Sequence, residues 1–161
     1  MQNEHRFIVN LNWHQKSEAE IGLNRKSIKN HYIKIEGKPL LEVSAAPIFK
    51  GDASLLNPED LLLSSLASCH MMSYLYCCNR SKIEILNYMD HAEAILKVNQ
   101  DGSGKIIKVI LSPTVYILDE NKVKEALELH SKANQLCFIA NSCNFKIEHH
   151  PLVVLIPKKL A

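Results

Sequence analysis

Cys69 sits in the stretch SSLASCHMM, residues 64–72, with Ser65, Ser68, His70 and Ser73 close by in the sequence. Pure core filler would not gather so many hydroxyls around a thiol, so these residue types leave two readings open, a buried core thiol and a nucleophilic cysteine. Such a thiol works as a thiolate. The middle of a helix offers no dipole end to stabilise one, so a cation must come from another segment. His70 cannot be that cation. It is adjacent in sequence but about 100° further around a helix, and points elsewhere.

A second thiol complements the first. In HSKANQLCFIANS, Cys137 falls just past the expected end of a helix, where the backbone shifts more readily than at a helix centre. That freedom suits a cysteine that must approach another sulfur, bridge to it and separate again. Whether the two α-carbons come within the ~6 Å that a disulfide requires is a matter of tertiary structure. Cys77, Cys78 and Cys143 read as small buried hydrophobes.

A rival chemistry is a zinc site. His130, Cys137, Cys143, His149 and His150 crowd the C-terminal third, and thiolate plus imidazole is what zinc prefers. The spacing argues against it, since six residues separate the cysteines, six more reach His149, and His149 and His150 face opposite sides of an extended strand. His5, His14, His31 and His91 have no carboxylate or cysteine at a telling spacing and read as exposed or hydrogen-bonded side chains.

The elements that position these residues follow from patterning. Residues 6–13 alternate with period two and predict a strand, residues 14–28 a polar loop, and 31–43 a hairpin about Glu36-Gly37-Lys38-Pro39. Asn57-Pro58-Glu59-Asp60 is a helix start: a capping amide, a proline at the first helical position, and two acids at the positive end of the dipole. The helix should run to about Cys78, and its apolar residues circle it, so it is expected to be buried on more than one side, by its own sheet with room for a partner chain. Residues 82–98 and 105–118 predict a second hairpin turning at Asn99–Gly104. A second helix runs from Asp119 to about Leu136, and a final strand, 144–156, is interrupted by Pro151, which belongs at an edge or a bend. The class is α+β.

The totals restrict function. A chain of 161 residues, 47% apolar and 22% charged, predicts a single domain over 1–161. A formal charge of +2 with no tract of like charges argues against a nucleic-acid footprint. The N-terminus lacks the apolar run of a secretion signal, and no stretch approaches the ~20 consecutive apolar residues that span a bilayer, so the expectation is a cytoplasmic protein without a membrane partner. Five cysteines, an odd number, do not form the staple framework of a small secreted domain.

Taken together, NPEDLLLSSLASCHMMSYL and HSKANQLCFIANS resemble the family of the osmotically inducible protein (OsmC) and the organic hydroperoxide resistance protein (Ohr). FKGDASLLNPEDLL, SCHMM and CFIANS are closest to the OsmC-like branch. The resemblance implies antiparallel sheets packed around a long central helix that carries the cysteine, in an intertwined homodimer. It implies a thiol-dependent peroxidase with no metal or haem, acting on hydroperoxides and recycled by a dithiol reductant. Carried over by position, Cys69 is the peroxidatic cysteine, Cys137 the resolving one, and Glu59 the acid that orients an activating arginine. In this chain that arginine is Arg25, with Lys26 and Lys29 as alternatives that would supply a point charge rather than a fork. Glu59 lies ten residues before Cys69, about 15 Å along a helix, so it would act by positioning a cation across a fold or dimer interface. The other reading of the same fold is a redox sensor or binding protein without rapid turnover.

Overall fold

The computed structural model describes residues 4–13 and 28–157. The chain forms two units, residues 1–61 and 62–161.

In the first unit, β1 (Asn10–Asn12), β2 (His31–Lys34) and β3 (Leu41–Val43) form an antiparallel sheet in that order. β2 and β3 are the expected hairpin, with Gly37 at φ 73 in its turn. The expected strand over residues 6–13 is much shorter. Only Asn10–Asn12 pairs, while Phe7, Ile8, Val9, Leu11 and Trp13 are all exposed. Gly51 is buried where the chain folds back on itself: a Cβ there would lie 1.6 Å from the Ala45 carbonyl oxygen, so only glycine fits.

The long helix α1 runs from Pro58 to Arg80. Its start is the capping arrangement expected from the sequence. The Asp60 amide donates to Asn57 Oδ1 (2.9 Å), and Asn57 donates back through its amide and its Nδ2 to Asp60 Oδ2 (3.2 and 2.6 Å). One stripe of the helix, Leu66, His70, Tyr74, Cys77 and Cys78, is buried. Met72 and Tyr76 on the far side of the helix are exposed in the single chain, as is Leu62 one turn before Leu66. By length and composition α1 could also cross a bilayer, which the sequence reading did not expect. Its buried stripe, with a histidine and a tyrosine packed against other elements of the second unit, is that of a core helix.

The second unit holds two three-stranded sheets. One has β4 (Asn87–Asp90), β7 (Pro113–Ile117) and β9 (Leu152–Leu155) in the order β4-β7-β9; the other has β5 (Glu93–Val98), β6 (Gly104–Leu111) and β8 (Lys146–His149) in the order β5-β6-β8. Each of the three long strands read from the sequence is therefore broken in two, at residues 91–92, at Ser112 and at residues 150–151, and passes from one sheet to the other. The breaks are secured by polar contacts: the Ser112 amide donates to Asp90 Oδ1 (2.8 Å), and the His150 amide to the Leu111 carbonyl (2.8 Å). Pro151 lies at one of these bends on the edge strand, where it removes no ladder bond. β4 with β7 and β5 with β6 pair antiparallel, whereas β8 and β9 join their sheets parallel to the central strands. The sheets are thus mixed rather than purely antiparallel, because the helical segment between β7 and β8 returns the chain in the same direction.

After a 3₁₀ turn at Glu120–Lys122, capped by Asp119 Oδ1 accepting from the Asn121 amide (3.0 Å), α2 spans Val123–Leu136. A short helix, α3 (Phe138–Asn141), follows Cys137 at once. Two apolar clusters result. One joins Tyr74, Cys78, Ile83, Val115, Ile117, Ala126 and Ala133; the other joins Leu66, Val109, Leu111 and Cys137.

Candidate active site

α1 places Cys69 three residues after the buried Leu66, turned partly out of the core, and Cys69 is half-buried. Cys137 terminates α2 and caps α3. Its Sγ accepts from the Ala140 amide at 3.4 Å, and the residue is fully buried. Sixty-eight residues apart in sequence, the two thiols meet in the second cluster, where Cys69 packs against the group that contains Cys137.

The electrostatics distinguish them. Burial pushes the Cys137 thiol up to about 11, and a hydrogen bond to Cys69 adds to that shift, while the Ala140 amide opposes it. Cys137 is the sealed thiol of the pair, and Cys69 the one that is only half-buried.

Cys69 opens onto a pocket of about 430 Å³ lined also by Met72, Ser73, Tyr76, Leu136 and Phe138. The lining is mainly apolar. Met72, three residues after Cys69, lines it, whereas Leu66, three residues before, belongs to the core.

The other expected site residues stand as follows. Glu59 is in the first turn of α1, half-buried, about 15 Å along the helix from Cys69, and forms no ion pair among the described residues. Arg25 and Lys26 lie outside the described residues. Lys29 donates through Nζ to the Phe49 carbonyl. The structure thus brings together the two cysteines within the second unit, while Glu59 belongs to the first.

The zinc set does not converge. Among the described residues no group of three or more His, Cys, Asp or Glu side chains is arranged to hold a metal ion. Two of its histidines have a different setting. His70, on the buried stripe of α1, places Nε2 3.1 Å from His130 Nδ1; its ring centroid is 4.5 Å from that of His149, and Tyr74 stacks on His130 at 3.9 Å. Burial, reinforced by the neighbouring imidazoles, pushes His70 down to about 3 and His130 to about 4, and lowers His149. All three are neutral at physiological pH. The sequence reading did not bring them together, although His70 shares the four-residue spacing of Leu66 and Tyr74, and His130 shares the helical spacing of Ala126 and Ala133.

The profile of OsmC-like proteins matches residues 51–150, which include both cysteines, the whole of α1 and the two bent hairpin strands. The chain belongs to the OsmC-like family. Its fold is similar to that of an OsmC-like protein of unknown function from Vibrio cholerae, at 24% identity and a TM-score of 0.81 over 92% of this chain and 100% of that one. It is also similar to an organic hydroperoxide resistance protein from Elizabethkingia anophelis (18% identity, TM-score 0.71, covering 97% and 100%). A third similar structure is OhrB, the organic hydroperoxide resistance protein of Bacillus subtilis (18%, 0.64, 93% and 98%). No curated protein matches. At these identities the likeness establishes the OsmC/Ohr fold.

Proposed function

We propose that the protein is a thiol-dependent peroxidase that reduces organic hydroperoxides, with Cys69 as the peroxidatic and Cys137 as the resolving cysteine. The observation that carries this reading is the meeting of the two cysteines in one cluster, Cys69 half-buried at a pocket and Cys137 fully buried beside it.

The cycle balances with these residues. The Cys69 thiolate attacks the distal oxygen of ROOH, the O–O bond breaks, and RO⁻ takes a proton to leave as ROH while the sulfur becomes a sulfenic acid. The Cys137 sulfur then attacks the sulfenic sulfur. The S–O bond breaks, the S–S bond forms, and hydroxide leaves as water with the thiol's proton. A dithiol donates two electrons and two protons to restore both thiols. The pocket walls Met72, Leu136 and Phe138 favour an alkyl group over hydrogen peroxide, because they offer apolar surface and few groups to hydrate a small polar oxidant. Arg25, held by Glu59, is proposed as the cation that stabilises the thiolate and the departing alkoxide. Since Glu59 cannot reach Cys69 along its own helix, a homodimer in which one copy completes the other's site fits best. The exposed Phe7, Val9, Leu11 and Trp13 supply an apolar face for that second copy to cover.

Consumption of cumene hydroperoxide with a dithiol tests the proposal. Wild type should turn over and Cys69→Ser should not. No consumption by wild type, or full consumption by Cys69→Ser, removes the peroxidase reading and leaves a sensor or binding role.

A further inference from the structure

Between α1 and α2 the contacts run in opposite order along the two chains. Cys69 meets Cys137 in the second apolar cluster, His70 Nε2 lies 3.1 Å from His130 Nδ1, and the Tyr74 hydroxyl donates to the Ala126 carbonyl at 3.1 Å. His70 follows Cys69 directly, so their α-carbons are about 3.8 Å apart and cannot move independently. His130 lies seven residues before Cys137, two helical turns earlier on the same face of α2. The histidine bond thus joins the two helices beside the thiols that they carry.

Both rings are held from the side. His149 of β8 packs against His70, with 4.5 Å between centroids, and Tyr74 stacks on His130 at 3.9 Å. His70 and Tyr74 are wholly buried and His130 nearly so. A buried hydrogen bond tolerates little sliding, because its length and angle are narrow and a sealed interior supplies no water to take over its partners. Stability alone does not call for it. Among the described residues His70 Nδ1 and His130 Nε2 have no hydrogen-bond partner, so half of the pair's ring nitrogens are buried at a cost. Two apolar side chains of similar volume would pack without that cost, but they would accept several placements of one helix against the other where the polar pair accepts one. The backbone freedom lies across the site, at Cys137, which joins α2 to α3 with extended dihedrals (φ -73, ψ 109).

We propose that His70 and His130 are positioning residues for the thiol pair: their hydrogen bond holds α1 in register with the joint between α2 and α3, so that Cys69 and Cys137 bridge readily. The proposal rests on the peroxidase reading only for the use made of the bridge. Bridging itself needs no peroxide. Two protein thiols and one low-molecular-weight disulfide exchange to give the protein disulfide and two small thiols; one S–S bond breaks, one forms, and both protons pass to the small thiols. The position of that equilibrium measures how well the two sulfurs are placed for each other.

Equilibration of the full chain with reduced and oxidised glutathione at neutral pH, read by alkylation and mass spectrometry at Cys69 and Cys137, tests the proposal. His70→Leu/His130→Leu should lower the equilibrium constant for the bridge by about tenfold or more, since a misplacement of ~1 Å suffices for such a loss. His70→Gln/His130→Asn, whose amides fall at the Nε2 and Nδ1 positions, should restore it to within about threefold of wild type. Val115→Ala, which hollows the other apolar cluster, should lower the urea midpoint and leave the constant unmoved. His130→Gln, whose amide falls one bond beyond the Nδ1 position, should show the same loss as the leucine variant and replaces it should that chain not fold. An equal constant in wild type and the variants that lack the bond, or a loss that follows the urea midpoint through every variant, overturns the positioning role. Failure of wild type to bridge the two cysteines overturns it as well. A bridge that forms and weakens with the histidines, in a protein that consumes no hydroperoxide, leaves the positioning role in place and removes the peroxidase reading.

Discussion

His70 Nε2 and His130 Nδ1 lie 3.1 Å apart in the interior of the second unit, with His149 tilted against His70 and Tyr74 stacked on His130. The bond needs one donor and one acceptor, so it is lost once both rings are protonated. His70 Nδ1 and the Nε2 atoms of His130 and His149 have no hydrogen-bond partner, which leaves an added proton nothing to compensate it.

Acid should therefore unfold this protein earlier than its carboxylates alone require. The folded pKa values of His70 and His130 are lowered, so the unfolded chain binds protons that the folded chain refuses. The stability they provide is complete above about 6.5 and is lost as pH falls toward 4 and 3. Each contributes a slope of about 1.4 kcal/mol per pH unit in that window. Urea unfolding between pH 7 and 5 should show the decline, and His130→Gln should flatten it. A constant stability over that range contradicts it.

The histidine pair should also be strongly coupled. Replacing His70 or His130 singly by leucine leaves the other ring with one more unpaired buried nitrogen, at a cost of about 1–3 kcal/mol. The double replacement removes the orphaned groups together. Its cost should fall short of the sum of the singles by about 1 kcal/mol or more in a double-mutant cycle. Additive costs would mean that the 3.1 Å contact contributes nothing.

At alkaline pH the cysteines act. Cys137 and Cys78 are both raised to about 11 by burial, so the folded chain holds these protons longer than the unfolded chain. The associated stability is present below about 9 and is lost as pH rises toward 11. A disulfide removes Cys137 from titration. Thermal melts from pH 8 to 10.5 should show a steeper decline for the reduced protein than for the peroxide-oxidised one, and identical slopes would contradict the assignment.

Cys137→Ser leaves the Cys69 sulfenic acid without the sulfur that resolves it. Dithiol-supported turnover should fall by at least about tenfold, and intact-mass measurement should show two added oxygens on the variant at peroxide levels that wild type survives. Unimpaired turnover would remove Cys137 from the cycle.

Local signals carried much of this structure. Asn57 and Asp60 cap α1 as the Asn-Pro-Glu-Asp pattern implies, and Cys137 follows the last residue of α2. Information that resides in tertiary packing was not legible. Strand alternation continues through residues 91–92, Ser112 and residues 150–151, so nothing in the period announces that each strand changes sheet there. The meeting of Cys69 with Cys137 depends on how α1 and α2 pack. His130 and His149 have the types of metal ligands, and their directions are not visible in a sequence; in the fold His130 Nδ1 pairs with His70, while His149 makes a ring contact with it.

The most direct measurement is peptide mapping by mass spectrometry after treating the reduced wild-type protein with one equivalent of an organic hydroperoxide. The expected product is a single linked pair, Cys69 to Cys137, with Cys77, Cys78 and Cys143 recovered as thiols. Recovery of Cys137 as a free thiol while Cys69 is unmodified, or is linked elsewhere, would contradict the pairing on which the proposed function depends.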